Sequence, residues 1–151
     1  LADSAAKVEM VMGDGRLMLE RDGRQDFDLL ALDAFSGDSI PAHLVTLEAM
    51  GSYLRQLKPG GVLAVHITNS HLNLEPVIAA AAAHYGLTAL LYRYRPPEDD
   101  LVCRRSDWAL LVSKEAAGRL PAVLAGGEVM LPRAGFRPWT DDYSNLFQIL
   151  K

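Results

Sequence analysis

The chain has 151 residues, 50% of them hydrophobic and 23% charged, with a formal net charge of −4. That is the ordinary composition of one soluble globular domain with its own core, and it excludes disorder. The 15 lysines and arginines are scattered, which argues against a nucleic-acid partner, and no apolar run approaches the ~20 residues that span a bilayer.

Cys103 is the only cysteine, so an intrachain disulfide is impossible and a reducing, cytoplasmic compartment is expected. The chain opens on Leu1 rather than methionine, and the expectation is a piece of a longer protein. Direct membrane insertion by this chain is not expected.

Read in order, the chain alternates strand-like and helical runs, which predicts an α/β sheet with mostly parallel connections. Residues 8–12 read as a short strand ended by Gly13-Asp14-Gly15, and residues 16–21 as a short helix. Residues 27–32 are apolar apart from Asp28 and read as a strand buried on both faces, ending at Asp33. A polar loop, Ser36-Gly37-Asp38-Ser39, follows. Thr46 is a candidate N-cap for a helix carrying Leu47, Met50, Leu54 and Leu57 at helical spacing. Lys58-Pro59-Gly60-Gly61 stops that helix and turns the chain into a third strand, residues 62–67.

Asn73 or Glu75 begins the next helix, with Pro76 in its first turn, and Gly86 ends it. Residues 87–94 and 108–112 read as two further strands separated by a charged surface loop. Ser113 caps a helix expected to reach about Leu124, and residues 126–138 read as irregular. Thr140 is a candidate cap for a last helix running to Leu150. The whole chain, residues 1–151, is read as a single domain.

Four places carry polar groups suited to chemistry. Gly13-Asp14-Gly15 follows a strand, but Met18 stands where a dinucleotide loop needs its third glycine, so a phosphate loop is rejected. Asp14 then serves either an Asp-Gly turn or the amino group of an adenine. Asp33 falls at the C-terminal end of the most apolar strand, the edge where open α/β sheets bind ligands, and is placed as a general base or a loop anchor. His66 and Asn69 fall at the same edge of the next strand. Asp141 and Asp142 precede the expected last helix, where acids either complement its dipole or, in one case, face an amine. The four histidines lack metal-ligand spacing, so no metal is expected. No nucleophile motif is present, and Cys103 sits among arginines without a placed histidine.

Four stretches, GDGR at 13–16, FDLLALDAFSGDSIP at 27–41, LKPGGVLAVH at 57–66 and WTDDYSNL at 139–146, resemble spermidine synthases and their bacterial relatives, including those fused to membrane-transporter-like segments. KPGGVL alone is common among class I S-adenosylmethionine methyltransferases and supports that Rossmann-like fold; the stretch around Asp33 supports the subgroup. The resemblance implies transfer of an aminopropyl group from decarboxylated S-adenosylmethionine to a diamine such as putrescine. It matches Asp14 to the adenine-binding aspartate, with Gly13 and Gly15 shaping that loop, and Asp33 to the general base. His66 falls where the family often has a glutamine in the substrate pocket. Ser36, Asp38, His66, Asn69 and Asp142 are the expected acceptor contacts. The second aspartate of the family, three residues after the base, is Ser36 here, with Asp38 two positions further on.

By the same resemblance the sheet order is 3-2-1-4-5-7-6, and this chain supplies strands 3 to 7 without the Gly-rich loop and the first two strands. The expectations that follow are an isolated chain without activity, and a homo-oligomer, as a dimer or with an exchanged strand, at the raw sheet edge. Two other readings stand beside the enzyme: a non-catalytic scaffold or interaction domain of the same fold, and a methyltransferase with a different acceptor, using S-adenosylmethionine itself.

Overall fold

The computed structural model describes residues 4–34, 41–100, 102–121, 124 and 126–151. In chain order the elements are α1 (Gly15–Arg21), β1 (Phe27–Leu32), a 3₁₀ turn (Ala42–Leu44), α2 (Leu47–Arg55), β2 (Leu57–His66) and α3 (Glu75–His84). β3 (Thr88–Tyr94), β4 (Ser106–Val112), α4 (Lys114–Ala117), β5 (Glu128–Val129) and a second 3₁₀ turn (Leu146–Ile149) follow.

The five strands form one sheet in the order β1-β2-β4-β3-β5. β1 and β2 pair in parallel, while β4 is inserted antiparallel between β2 and β3, and β5 pairs antiparallel with β3. The first four positions reproduce the 4-5-7-6 half of the expected order. The expected mostly parallel pairing is corrected: one pair is parallel and three are antiparallel. β1, β2 and β3 still point the same way, so their C-terminal ends share one edge.

Strict alternation along the strands builds a core on each face of the sheet. Leu63 and Val65 of β2, Ala89 and Leu91 of β3, and Ala109 and Leu111 of β4 face α2 and α3, together with Met50, Tyr53, Ile78 and Trp139. Ala64, Leu90, Leu110 and Val112 face the other way, toward Ala116 and Ala117 of α4. Burying a side chain such as Leu63 contributes about 1.5–3 kcal/mol. α3 is apolar nearly all round, from Val77 to Ala82, because it is covered on most sides.

Several local expectations hold. Thr46 caps α2, its hydroxyl accepting from Ala49 N–H at 3.2 Å. Asn73 accepts from Glu75 N–H at 3.0 Å at the start of α3, with Pro76 in the first turn. Gly86 closes that helix with φ +66°.

Others are corrected. Residues 8–12 form no strand: they lie exposed, with Met10 80% and Met12 86% accessible. Apolar β-formers become a strand only when a neighbouring strand takes up their backbone groups, and among the described residues β1 pairs with β2 alone. β1 is covered on one face, not two; Leu30 and Leu32 pack inward while Leu29 is 58% exposed. Lys58-Pro59-Gly60-Gly61 is a bulge inside β2 rather than a turn before it. Phe27 pairs with Leu57 and Leu29 with Val62, so the extra residues loop out, Gly60 taking φ +81°. A Cβ on Gly61 would stand 3.0 Å from the Phe27 carbonyl oxygen, tight enough that the backbone would have to give by a few tenths of an ångström.

α4 stops at Ala117 with Gly118 at its C-cap, well short of Leu124. No helix starts at Thr140: its backbone bridges Tyr143 and only the 3₁₀ turn Leu146–Ile149 follows, capped by Asn145. This tail is nonetheless built in. Trp139 is buried, its carbonyl accepts from Leu47 N–H at 2.9 Å, and the Ile149 carbonyl accepts from Asn73 N–H at 2.7 Å. Among the described residues no helix is long and apolar enough to cross a membrane.

Candidate functional site

The parallel register of β1 and β2, with Leu32 beside Val65, brings the next residue of each strand together at the C-terminal edge. These are Asp33 and His66. Asp33 Oδ1 lies 2.7 Å from His66 Nδ1. His66 Nε2 lies 2.6 Å from Thr68 Oγ1, which in turn accepts from Asp107 N–H at 2.7 Å. The imidazole stacks on Trp108, its register partner on β4, with centroids 4.9 Å apart and planes 23° from parallel. A carboxylate at Nδ1 requires a proton there, so the neutral ring accepts at Nε2 from the Thr68 hydroxyl. The side chain of His66 is 23% exposed and that of Asp33 58% exposed. A half-exposed carboxylate held at a sheet edge is suited to meet a cation.

Beside Asp33 lies a cavity of about 240 Å³ lined by Gly15, Arg16, Leu32, Leu44 and Tyr53 among others. It is smaller than the ~300–1,000 Å³ usual for whole ligand sites. The Tyr53 hydroxyl in its wall is buried and makes no hydrogen bond among the described residues, and burial pushes its pKa up.

Arg16 is held at the cavity by three elements. It pairs with Asp141 through two bonds of 2.7 and 2.6 Å, with Glu20 at 2.8 Å, and donates to the His43 carbonyl at 2.8 Å. Asp141 also accepts from the Thr46 hydroxyl at 2.7 Å, and its own N–H donates to Glu48 at 3.0 Å. The bonds from Arg16 hold the Asp141 carboxyl down at about pH 2, and the same partners raise the Arg16 pKa.

Asp14, the expected adenine contact, is the N-cap of α1. Its Oδ1 accepts from Leu17 N–H at 3.0 Å and its Oδ2 lies 3.1 Å from His43 Nε2. The Leu17 amide first, then His43, lowers its pKa. An adenine amino group would therefore have to share or displace His43. Gly13 takes φ +136° ahead of this cap, and a Cβ there would press on Met18 at 3.2 Å; Gly15 has open space at its Cβ position and only borders the cavity.

The other expected contacts separate. Ser36 and Asp38 lie outside the described residues. Asn69 is buried and uses its Oδ1 to shape a turn, accepting from His71 N–H at 2.9 Å and Leu72 N–H at 2.7 Å. Asp142 is exposed in the turn between Thr140 and Tyr143, and its neighbour Asp141 makes the structural contacts. Arg16, Thr68 and Trp108 are site residues that sequence reasoning did not single out. Arg16 sits inside the GDGR stretch, and that position was the one available signal. Among the described residues no three His, Cys, Asp or Glu side chains converge as a metal group would need.

No family model matches the chain. It is similar to a polyamine aminopropyltransferase from Vibrio vulnificus (strain CMCP6), 29% identical over 89 residues, a stretch that is 58% of this chain and 29% of the relative. In structure it is similar to a probable spermidine synthase from Corynebacterium glutamicum ATCC 13032, with a TM-score of 0.60 and 21% identity. That likeness covers 95% of this chain and 57% of the solved one, so the chain spans less than two thirds of either relative's length. The solved likeness shows a spermidine synthase-like fold.

Proposed function

We propose that this chain forms the base-bearing side of an aminopropyltransferase-like site, with Asp33 as the general base toward an amine acceptor such as putrescine. The observation that most directly supports this is the position of Asp33. Its carboxylate stands at the shared C-terminal strand edge, beside the cavity that begins at Gly15. In the reaction the acceptor's ammonium loses a proton to the carboxylate, because a protonated amine has no lone pair to attack with. The freed nitrogen forms a bond to the aminopropyl carbon of decarboxylated S-adenosylmethionine. The carbon–sulfur bond breaks and methylthioadenosine leaves, neutralising the sulfonium.

The adenine side is represented here by Asp14 and Gly15 alone, and no Gly-rich phosphate or ribose loop occurs in the sequence. We therefore read the isolated chain as inactive, and the acceptor side as the part it supplies. The single cysteine fits a reducing, cytoplasmic setting. A second reading, a non-catalytic scaffold of the same fold, draws on Asp14, whose two oxygens are both engaged by the chain's own groups.

Calorimetric titration with putrescine tests the enzyme reading. Binding by the wild-type chain that is lost in Asp33→Asn is the expected result. No binding in the wild type, or equal binding in the variant, removes Asp33 as the acceptor's partner and leaves the scaffold. Aminopropyl transfer by the chain alone would overturn the inactivity. Binding of S-adenosylmethionine in preference to its decarboxylated form would favour a methyltransferase instead.

A further inference from the structure

We propose that His66 is a positioning residue for Asp33 rather than a contact for the acceptor: its Nδ1–H pins Oδ1 of the carboxylate and turns Oδ2 toward the incoming amine. The inference rests on the reading of Asp33 as the base and deepens it.

The geometry leaves His66 little freedom to do anything else. Nδ1 is taken by Asp33 at 2.7 Å and Nε2 by Thr68 at 2.6 Å. One face of the ring lies against Trp108. Thr68 is itself fixed, because its oxygen accepts the Asp107 amide at 2.7 Å. The Asp107 carboxylate is engaged in turn by Arg95 at 2.5 Å. The string runs from the main chain of β4 through a hydroxyl and an imidazole to one oxygen of Asp33. Every donor in it has an acceptor if the ring carries its proton on Nδ1. Asp33 Oδ2 has no hydrogen-bond partner among the described residues, so one oxygen is held while the other can receive a ligand's N–H. A histidine supported by a second group on its far nitrogen is how protein sites fix a tautomer and a direction. A glutamine, which the resemblance places at this position in relatives, has no ring to stack on Trp108 and no second nitrogen for Thr68.

The test has two arms. The first reads the ring itself by nitrogen-15 NMR of the histidine-labelled chain. The expected result is the Nδ1–H tautomer with a protected, downfield ring proton, lost in Asp33→Ala. A wild-type ring in the Nε2–H tautomer, or one unaffected by Asp33→Ala, overturns the inference.

The second arm compares putrescine binding in two variants that divide the side chain's parts. His66→Asn keeps an N–H where Nδ1 was and gives up the stack; His66→Phe keeps a ring on Trp108 and gives up the donor. A hydrogen bond to a charged group supports a loss of about ten- to a hundredfold in affinity for His66→Phe, with His66→Asn within about threefold of wild type. Equal binding in all three, or equal losses in both variants, would make His66 a packing residue and overturn the inference. Should the wild-type chain bind no putrescine, the functional reading fails while the NMR arm still decides the role of His66.

Discussion

Arg16 and Asp141 stand 125 positions apart in the chain and meet as a two-point ion pair, 2.7 and 2.6 Å, that clamps the C-terminal tail onto α1 beside the cavity. The Arg16 side chain is only 12% exposed and that of Asp141 is 41% exposed. Asp141→Asn leaves the shape and removes the charge. The expected loss at neutral pH is about 1 kcal/mol, because solvent at the exposed edge of Asp141 screens part of the attraction. The pH dependence has a definite sign. A carboxyl whose folded pKa is about 2, against ~3.9 when unfolded, stabilises the fold above the unfolded value and stops doing so as pH falls through the folded one. Urea midpoints of wild type and Asp141→Asn should therefore differ at pH 7 and converge between about pH 4 and pH 2. A constant gap across that window would assign the effect to something other than this charge.

Thr46 serves two elements with one hydroxyl: it accepts from Ala49 N–H at the start of α2 and donates to Asp141. Thr46→Ala should cost about 1–2 kcal/mol, the upper half of the range for a lost N-cap, which lowers Tm by roughly 2–4 °C per kcal/mol at this chain length. Thr46→Ser keeps the oxygen and should recover most of the loss. Scanning calorimetry of the two variants separates the hydroxyl from the methyl group.

What was legible in the sequence was local, and what was not was long-range. The apolar run of β1 ended by a carboxylate, the Thr46 cap and the Pro76 helix start are written within a few residues, and each appears where expected. Residues 8–12 carry the local β signal equally well, yet pairing depends on a neighbour that no local pattern specifies. Thr140-Asp141-Asp142 reads as a helix cap with acids behind it. Arg16 recruits Asp141, and the backbone of Thr140 closes on Tyr143 instead. His66 was legible as a residue at the functional edge. Its attachment to Asp33 depended on the register of two strands, and its attachment to Thr68 on how the chain leaves β2.

Tyr53 offers a prediction of the opposite sign. Its hydroxyl is buried without a hydrogen bond among the described residues, and such an orphan costs about 1–3 kcal/mol relative to a paired one. Tyr53→Phe should therefore leave stability unchanged or raise it by up to about 1 kcal/mol, read as a higher urea midpoint. A clear loss would mean that water or a bound molecule in the adjoining cavity satisfies the hydroxyl. Ligand titration of the same variant would then tell the two apart.

The outer edge of β1 leads to a prediction about assembly. Among the described residues β1 pairs with β2 on one side only, and its exposed face carries Leu29. A second copy is the occupant we expect, because the strand is self-complementary. Antiparallel pairing about a two-fold axis through Leu30 sets Leu29 opposite Ala31 and Asp28 opposite Leu32, with no like charges facing each other. Asp28 is in any case paired with Lys58 of its own chain at 2.9 Å. The pairing would satisfy the open backbone groups of the edge and shelter Leu29. Sedimentation over a range of concentrations should show a monomer–dimer equilibrium. Leu29→Lys should shift it to monomer, since two like charges would then lie on the same face as diagonal neighbours across the new strand pair, about 7–8 Å apart. Circular dichroism should stay unchanged, because Leu29 faces solvent within one copy. A wild-type chain that remains monomeric at high concentration would rule out β1 as a self-pairing edge.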